Sequence, residues 1–79
     1  MDFRDIRKLK SFSQIGLANK LSVKQVAVSH WETGKREPPL QTIVDISKIF
    51  NCSIDEVVLA LLESKKQHIS RFVEKVAES

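Results

Sequence analysis

The fold is decided by residues 13–34, which read SQIGLANKLSVKQVAVSHWETG. Ser13 is a favourable N-cap for a helix that begins at Gln14, because its hydroxyl oxygen accepts a hydrogen bond from a backbone N–H of the first turn. Apolar residues then recur at the spacing of one helix face. This apolar stripe consists of Leu17, Ala18 and Leu21. The stretch therefore predicts a short amphipathic helix.

A second helix follows after only three residues. Residues 22–24 are too few for anything but a tight turn. A helix is then predicted from Gln25 to Glu32, with Val28 and Trp31 facing inward. The turn needs one left-handed residue, and Ser22 occupies that position at a cost of about 1 kcal/mol. Two short helices joined in this way are typical of a helix-turn-helix unit.

Helical periodicity continues on both sides of this unit. Asp2 can cap a first helix, and Gly34 can end the third in the left-handed conformation. A fourth helix is predicted from Leu40 to Phe50, with Leu40 on its inward face, and Ser53 opens a fifth with a capping box. Residues 64–78 are also amphipathic, and the sequence leaves open whether they continue the fifth helix or form a sixth.

The charge distribution points to a polyanionic partner. The chain has 79 residues, enough for one domain, and a net charge of +3. Residues 1–36 hold eight basic and three acidic side chains, whereas residues 37–79 hold five basic and seven acidic. A basic first half favours nucleic acid. No apolar run approaches the roughly 18 residues of a membrane span, and the N-terminus does not resemble a signal peptide. We expect a cytoplasmic protein that does not contact membranes.

The sequence gives no indication of an enzyme. His30 and His68 are isolated, and no carboxylate pair, glycine-rich phosphate loop or metal-ligand set accompanies them. Cys52 is the one cysteine, and its position between Phe50 and Ile54 is typical of a buried small hydrophobe. We therefore predict no catalytic residues, no metal and no cofactor.

Four segments carry a family resemblance. Phe12–Leu21 matches the pattern LSQ..LA..L, Val28–Lys35 matches IS.WE.GK, Pro38–Ile43 looks like PSLETL, and Asn51–Val57 looks like GVSLDEL. From Phe3 to Val58 the chain resembles the helix-turn-helix family of the lambdoid phage repressor and Cro proteins, also called the xenobiotic-response-element or Cro/CI family. The resemblance implies an all-α fold: a compact five-helix, lambda-repressor-like domain in residues 1–62. An additional C-terminal amphipathic helix is predicted in residues 63–79.

The resemblance also implies a function. It suggests a transcriptional regulator, a repressor, that binds double-stranded DNA and reads the major groove with the helix Gln25–Glu32. Gln25 would pair with adenine and Val26 would pack on a thymine methyl. Arg7 and Glu32 match a structural salt bridge of the family. The positions implied to contact DNA are Gln14, Lys24, Gln25, Val26, Ser29, His30, Lys35 and Arg36.

The family binds DNA as two-fold dimers, and the resemblance therefore implies a homodimer. The C-terminal apolar stripe is the predicted dimer interface, although packing of the stripe onto its own domain stays open. Two alternatives also stay open: an antitoxin that binds a toxin and its own promoter, and a controller protein of a restriction–modification system. A toxin or polymerase would then be a protein partner. The predicted interface consists of Leu61, Leu62, Ile69, Phe72, Val73 and Val76.

Overall fold

The computed structural model describes the backbone of residues 1–78 and the side chains of residues 1–69. All regular secondary structure in the described part is α-helical, which confirms the predicted all-α fold. Its five helices are α1 (Phe3–Leu9), α2 (Gln14–Leu21), α3 (Gln25–Thr33), α4 (Leu40–Phe50) and α5 (Ile54–Glu78).

Three helices begin at side-chain caps that the sequence predicts. Asp2 and Asp5 form a reciprocal capping box at α1. The Ser13 hydroxyl oxygen accepts a hydrogen bond from the Gly16 backbone N–H at 2.9 Å, and the Ser53 hydroxyl oxygen accepts one from the Glu56 N–H at 3.1 Å. These bonds satisfy N–H groups that have no partner inside the helix, so local sequence fixes where the helices start.

Each of the four connections between helices contains one left-handed residue. Ser22 has φ 57°, Gly34 has φ 76° and Asn51 has φ 53°, as their positions at the predicted helix ends indicate. Ser11, with φ 64°, plays the same part between α1 and α2. A left-handed residue reverses the chain within a few positions, so the helices pack against one another without long loops.

The core lies where the five helices meet. The ring of Phe3 from α1 stands edge-on to Trp31 from α3, with ring centroids 6.2 Å apart, and is also 6.1 Å from the ring of Phe50 in α4. An edge-to-face pair of this kind is favourable beyond the area that it buries. The remaining fully buried apolar side chains are Leu17, Val28, Ile46 and Val57.

The prediction that Leu40 faces inward is wrong, since this side chain is 76% exposed. The buried residues of α4 are Ile46, Ser47 and Phe50, all in its last two turns. Ile43, one turn earlier, is half-buried and packs against the core, so burial in α4 falls off toward Leu40. Periodicity assigns Leu40 to the apolar face of α4, but the first turn of the helix, where Leu40 lies, is not buried.

The structure answers the question that the sequence leaves open about residues 64–78. Helix α5 runs without interruption through residues 62 and 63, the predicted boundary between the five-helix domain and the C-terminal helix. Ser64, beyond that boundary, is buried, and its hydroxyl oxygen accepts a hydrogen bond from the Phe3 backbone N–H at 3.0 Å. The C-terminal residues therefore continue α5. No helix in the described part of the chain combines the length and the apolar character needed to cross a membrane.

Candidate nucleic-acid interface

A buried ion pair fixes α1 to the end of α3. Arg7 Nε lies 2.5 Å from Glu32 Oε2, and the two side chains are only 7% and 4% exposed. A second bond joins Arg7 Nη2 to Glu32 Oε1 at 3.2 Å, and Arg7 Nη1 donates to the carbonyl oxygen of Phe12 at 2.6 Å. The two residues that the family resemblance pairs are thus in bidentate contact, a geometry that restricts both side chains.

Hydrogen bonds extend from this ion pair to the start of α3. Glu32 Oε1 accepts from Gln14 Nε2 at 3.2 Å, and Gln14 Oε1 accepts from Gln25 Nε2 at 3.2 Å. We call Arg7, Glu32, Gln14 and Gln25 the polar chain. It joins the first residue of α2 and the first residue of α3 to one buried carboxylate.

The polar chain has a direction that the carboxylate sets. An ionised carboxylate only accepts hydrogen bonds, so Gln14 must present its Nε2 to Glu32. Its Oε1 then faces Gln25, which must present its own Nε2. Gln25 retains its Oε1 and the second hydrogen of its Nε2 for another partner. The exposed side chain of Gln25 therefore retains both an acceptor and a donor.

The start of α3 is the most accessible part of that helix. Lys24 is its N-cap in extended conformation and makes no capping hydrogen bond with its side chain. Lys24, Gln25 and Val26 are exposed, whereas Ser29 and His30 further along are half-buried. The accessible surface thus combines a cation, an amide and an apolar side chain.

Two further cations follow the other end of α3. Lys35 and Arg36 are exposed and come directly after Gly34. Their backbone N–H groups both donate to the carbonyl oxygen of His30, at 3.0 and 3.3 Å. These bonds attach the loop to the last turn of α3, so the cations keep a defined place relative to the helix.

The family resemblance implies a DNA contact for Gln14 and gives no indication of its bonds to Glu32 and Gln25. The available signal was weak: both glutamines are the first residues of helices that meet at the turn. Whether they touch depends on how the helices cross. A residue spacing of 11 along the chain does not determine that contact.

The predicted dimer residues have different surroundings. Leu62 is 54% exposed and Ile69 is 51% exposed. Leu61, at 8% exposed, belongs to the core of its own chain, where the inward face of α5 packs. Phe72, Val73 and Val76 lie outside the residues whose side chains the structure describes.

Comparisons with known proteins agree with this geometry. A family model described as "Helix-turn-helix" matches residues 3–57. The chain is 38% identical over 55 residues to the HTH-type transcriptional activator BcrR of Enterococcus faecalis, covering 70% of this chain and 27% of that protein. It is 35% identical over 54 residues to the uncharacterized HTH-type transcriptional regulator YqaE of Bacillus subtilis, covering 68% of this chain and 47% of that protein.

The chain therefore spans between about a quarter and a half of the length of these relatives. No solved structure gives a significant match. The family match covers more than half of the chain. It includes α4 and the three helices that contribute to the polar chain, and it extends to the first turn of α5. The chain belongs to the helix-turn-helix family of transcriptional regulators.

Proposed function

We propose that this protein is a sequence-specific repressor that binds double-stranded DNA as a homodimer and reads the major groove with α3. The observation that carries the proposal is the polar chain, which holds Gln25 by a hydrogen bond at the exposed start of that helix. A side chain that is oriented before binding loses less conformational entropy when it meets a base.

Base recognition would fall mainly to Gln25 and Val26. The Oε1 and the remaining N–H of Gln25 match the N6 amino group and N7 of adenine, and a bidentate pair of this kind discriminates by about 1–3 kcal/mol. Val26, exposed one residue later, offers an apolar surface to a thymine methyl. Ser29 and His30 would approach bases or backbone deeper along the helix.

Phosphate contacts would flank the base contacts. Lys24 precedes α3, and Lys35 and Arg36 follow it, so cations stand at both ends of the helix. Gln14 would add the free N–H groups at the start of α2. Such contacts position a protein on the duplex and supply affinity that does not depend on sequence.

Two copies would be needed because one recognition helix reads only a few base pairs. A two-fold dimer places two such helices about 34 Å apart on a near-palindromic site. The proposed interface uses exposed Leu62 and Ile69 of α5. Phe72, Val73 and Val76 continue the same stripe in the sequence, and Leu61 would pack beneath it.

Selection from a random duplex pool tests the proposal. We expect a near-palindromic consensus, with Gln25→Ala losing preference at one position in each half-site at a cost of about 1–3 kcal/mol. Gln41→Ala is the matched control, because Gln41 is exposed on α4 and, among the side chains that the structure describes, bonds only to Asp45 of its own helix. Failure of the unaltered protein to enrich any sequence would refute the proposal.

The dimer interface has its own test in sedimentation. We expect Leu62→Asp and Ile69→Asp to give monomers, because a charge is costly in an apolar interface. Leu40→Asp is the control, since Leu40 is exposed on α4 rather than on α5. A dimer that survives both α5 substitutions would place the interface elsewhere.

The regulatory outcome is measured with a reporter behind the selected site. We propose repression, because occupancy of a promoter is sufficient to exclude polymerase. The relative BcrR is named an activator, so raised expression of the reporter is the result that would contradict repression.

Binding to genomic DNA also leads us to propose the cytoplasm as the location. A monomer that co-purifies with a toxin through α5 would instead favour the antitoxin function.

A further inference from the structure

The loop after the recognition helix rests against α5 by a contact between backbones. A Cβ placed on Gly34 would lie 2.6 Å from the Ser64 carbonyl oxygen and 2.8 Å from both Lys65 Cα and His68 Cβ. Such distances are far inside ordinary van der Waals contact, and two of the three atoms belong to the backbone of α5. Glycine is therefore required here for space as well as for its positive φ.

The same turn of α5 holds the loop at its other end. Lys65 Nζ lies 2.7 Å from Glu37 Oε1. The segment 34–37, which we call the phosphate loop, is thus fixed at both ends by residues 64–68 of α5. Lys35 and Arg36 project between these two attachments.

The supporting turn is itself firmly placed. The buried Ser64 hydroxyl accepts a hydrogen bond from the backbone N–H of Phe3, one of the fully buried residues of the core. A shift or rotation of α5 at this level would break that bond and leave a polar group buried without a partner. The phosphate loop therefore rests on a surface that the core fixes.

We propose that Lys65 is a positioning residue for DNA binding, acting through Glu37 on the phosphate loop. The inference rests on the proposed function, because it assigns Lys35 and Arg36 to DNA phosphates. Lys65 would hold the loop in its binding conformation, so that less ordering is left to occur on the duplex. It would also neutralise Glu37, a carboxylate next to Arg36 that would otherwise repel the DNA backbone.

The test compares Lys65→Met with Lys66→Met in the full chain. Both lysines are exposed neighbours on α5, and each substitution removes one positive charge. Only Lys65 contacts Glu37 among the described side chains. Affinity for the selected duplex is measured over a range of salt, with sedimentation to establish the same oligomeric state and thermal unfolding to establish equal folding.

We expect Lys65→Met to weaken binding about two- to fivefold more than Lys66→Met, the range of an exposed ion pair. The salt dependence should also become shallower for Lys65→Met, because the loop cations reach phosphates less often. In a Glu37→Gln background, the two lysine substitutions should have equal effects. A purely structural role would alter unfolding and leave the salt dependence of the folded protein unchanged.

Equal losses for the two lysine variants in both backgrounds would overturn the inference and leave α5 with only a general electrostatic effect. Lys35→Ala, measured in parallel, separates this result from failure of the proposed function. If Lys35→Ala lowers the salt slope by about one unit while the two lysine variants remain alike, only the inference fails. If the unaltered protein binds no duplex, both fail.

Discussion

Two ion pairs lie at the C-terminal end of α3, one on the helix and one on the loop that follows it, and they differ chiefly in exposure. Arg7 and Glu32 are 7% and 4% exposed, whereas Lys65 and Glu37 are 48% and 60% exposed. Removing one partner of a buried pair leaves an isolated charge away from water, while an exposed partner is simply solvated. The contrast indicates that the end of α3 is held rigidly against α1, whereas the loop that carries Lys35 and Arg36 is held by a contact that salt can weaken.

The largest effect is expected from Glu32→Gln. This substitution removes the charge and keeps the shape, so Arg7 remains buried without a carboxylate, and we expect the free energy of unfolding to fall by about 3–5 kcal/mol. Glu37→Gln makes the same chemical change at the exposed pair and should cost at most about 1 kcal/mol. Urea denaturation measures both. Similar losses at the two sites would contradict the contrast between the pairs.

A smaller effect is expected where the polar chain passes from the buried pair to Gln25, the proposed base contact. Gln14→Ala interrupts the polar chain without altering either ion pair. Gln25 then loses the hydrogen bond that orients it, which should cost about 1 kcal/mol of specific binding free energy. The ratio of specific to non-specific duplex affinity should fall accordingly, whereas Gln41→Ala should leave it unchanged. An unchanged ratio for Gln14→Ala would mean that Gln25 is oriented by the DNA alone.

A still smaller effect is expected when the stability losses at the two ion pairs are compared at low and high salt. The Debye length shortens to about 3 Å at 1 M salt, so the stability difference caused by Glu37→Gln should vanish there. The difference caused by Glu32→Gln should persist, because the buried pair is poorly screened. Denaturation at low and high sodium chloride measures both differences. A loss for Glu32→Gln that disappears in salt would show that this pair is solvated.

The smallest effect is expected at Cys52, which belongs to neither ion pair. Burial, with a lesser contribution from nearby Glu56, raises the pKa of the Cys52 thiol above its usual value. The protonated thiol is therefore favoured by folding. Its contribution to stability is complete below the pKa of the unfolded chain and is lost as pH rises through the higher pKa of the folded state.

Alkylation rates measured against pH should show this shift. We expect the native protein to reach half-maximal rate at a higher pH than the same protein in denaturant, because only the thiolate reacts. A Glu56→Gln variant should reduce the shift, while Glu37→Gln should not. A native midpoint at or below the denatured one would contradict the expectation.

Local chemistry explains why so much of the fold was predictable. The caps at Asp2, Ser13 and Ser53 involve residues three positions apart, and the left-handed residues Ser22 and Gly34 end helices whose apolar spacing is plain. Interactions between residues this close along the chain can be predicted from the sequence. The first and last residues of the helices follow from them.

Contacts between distant segments were not predictable in the same way. Periodicity places Leu40 and Leu61 on apolar faces, yet only packing decides that Leu40 is exposed and Leu61 is buried. The bond between Gln14 and Gln25, and the pair of Lys65 with Glu37, both depend on how helices cross. The Arg7–Glu32 contact came from the family resemblance and not from the spacing of the residues.

The left-handed residues between the helices have a consequence for how the molecule tolerates change. Among these residues only Gly34 is a glycine, and it lies where α5 leaves no room for a side chain. Ser11 and Ser22 adopt the same left-handed conformation, which costs each of them about 1 kcal/mol of conformational strain. Asparagine or glycine at these two serines would relieve that strain. Such substitutions should raise the midpoint of thermal unfolding, and the added stability would offset a destabilising substitution elsewhere, for example in α3.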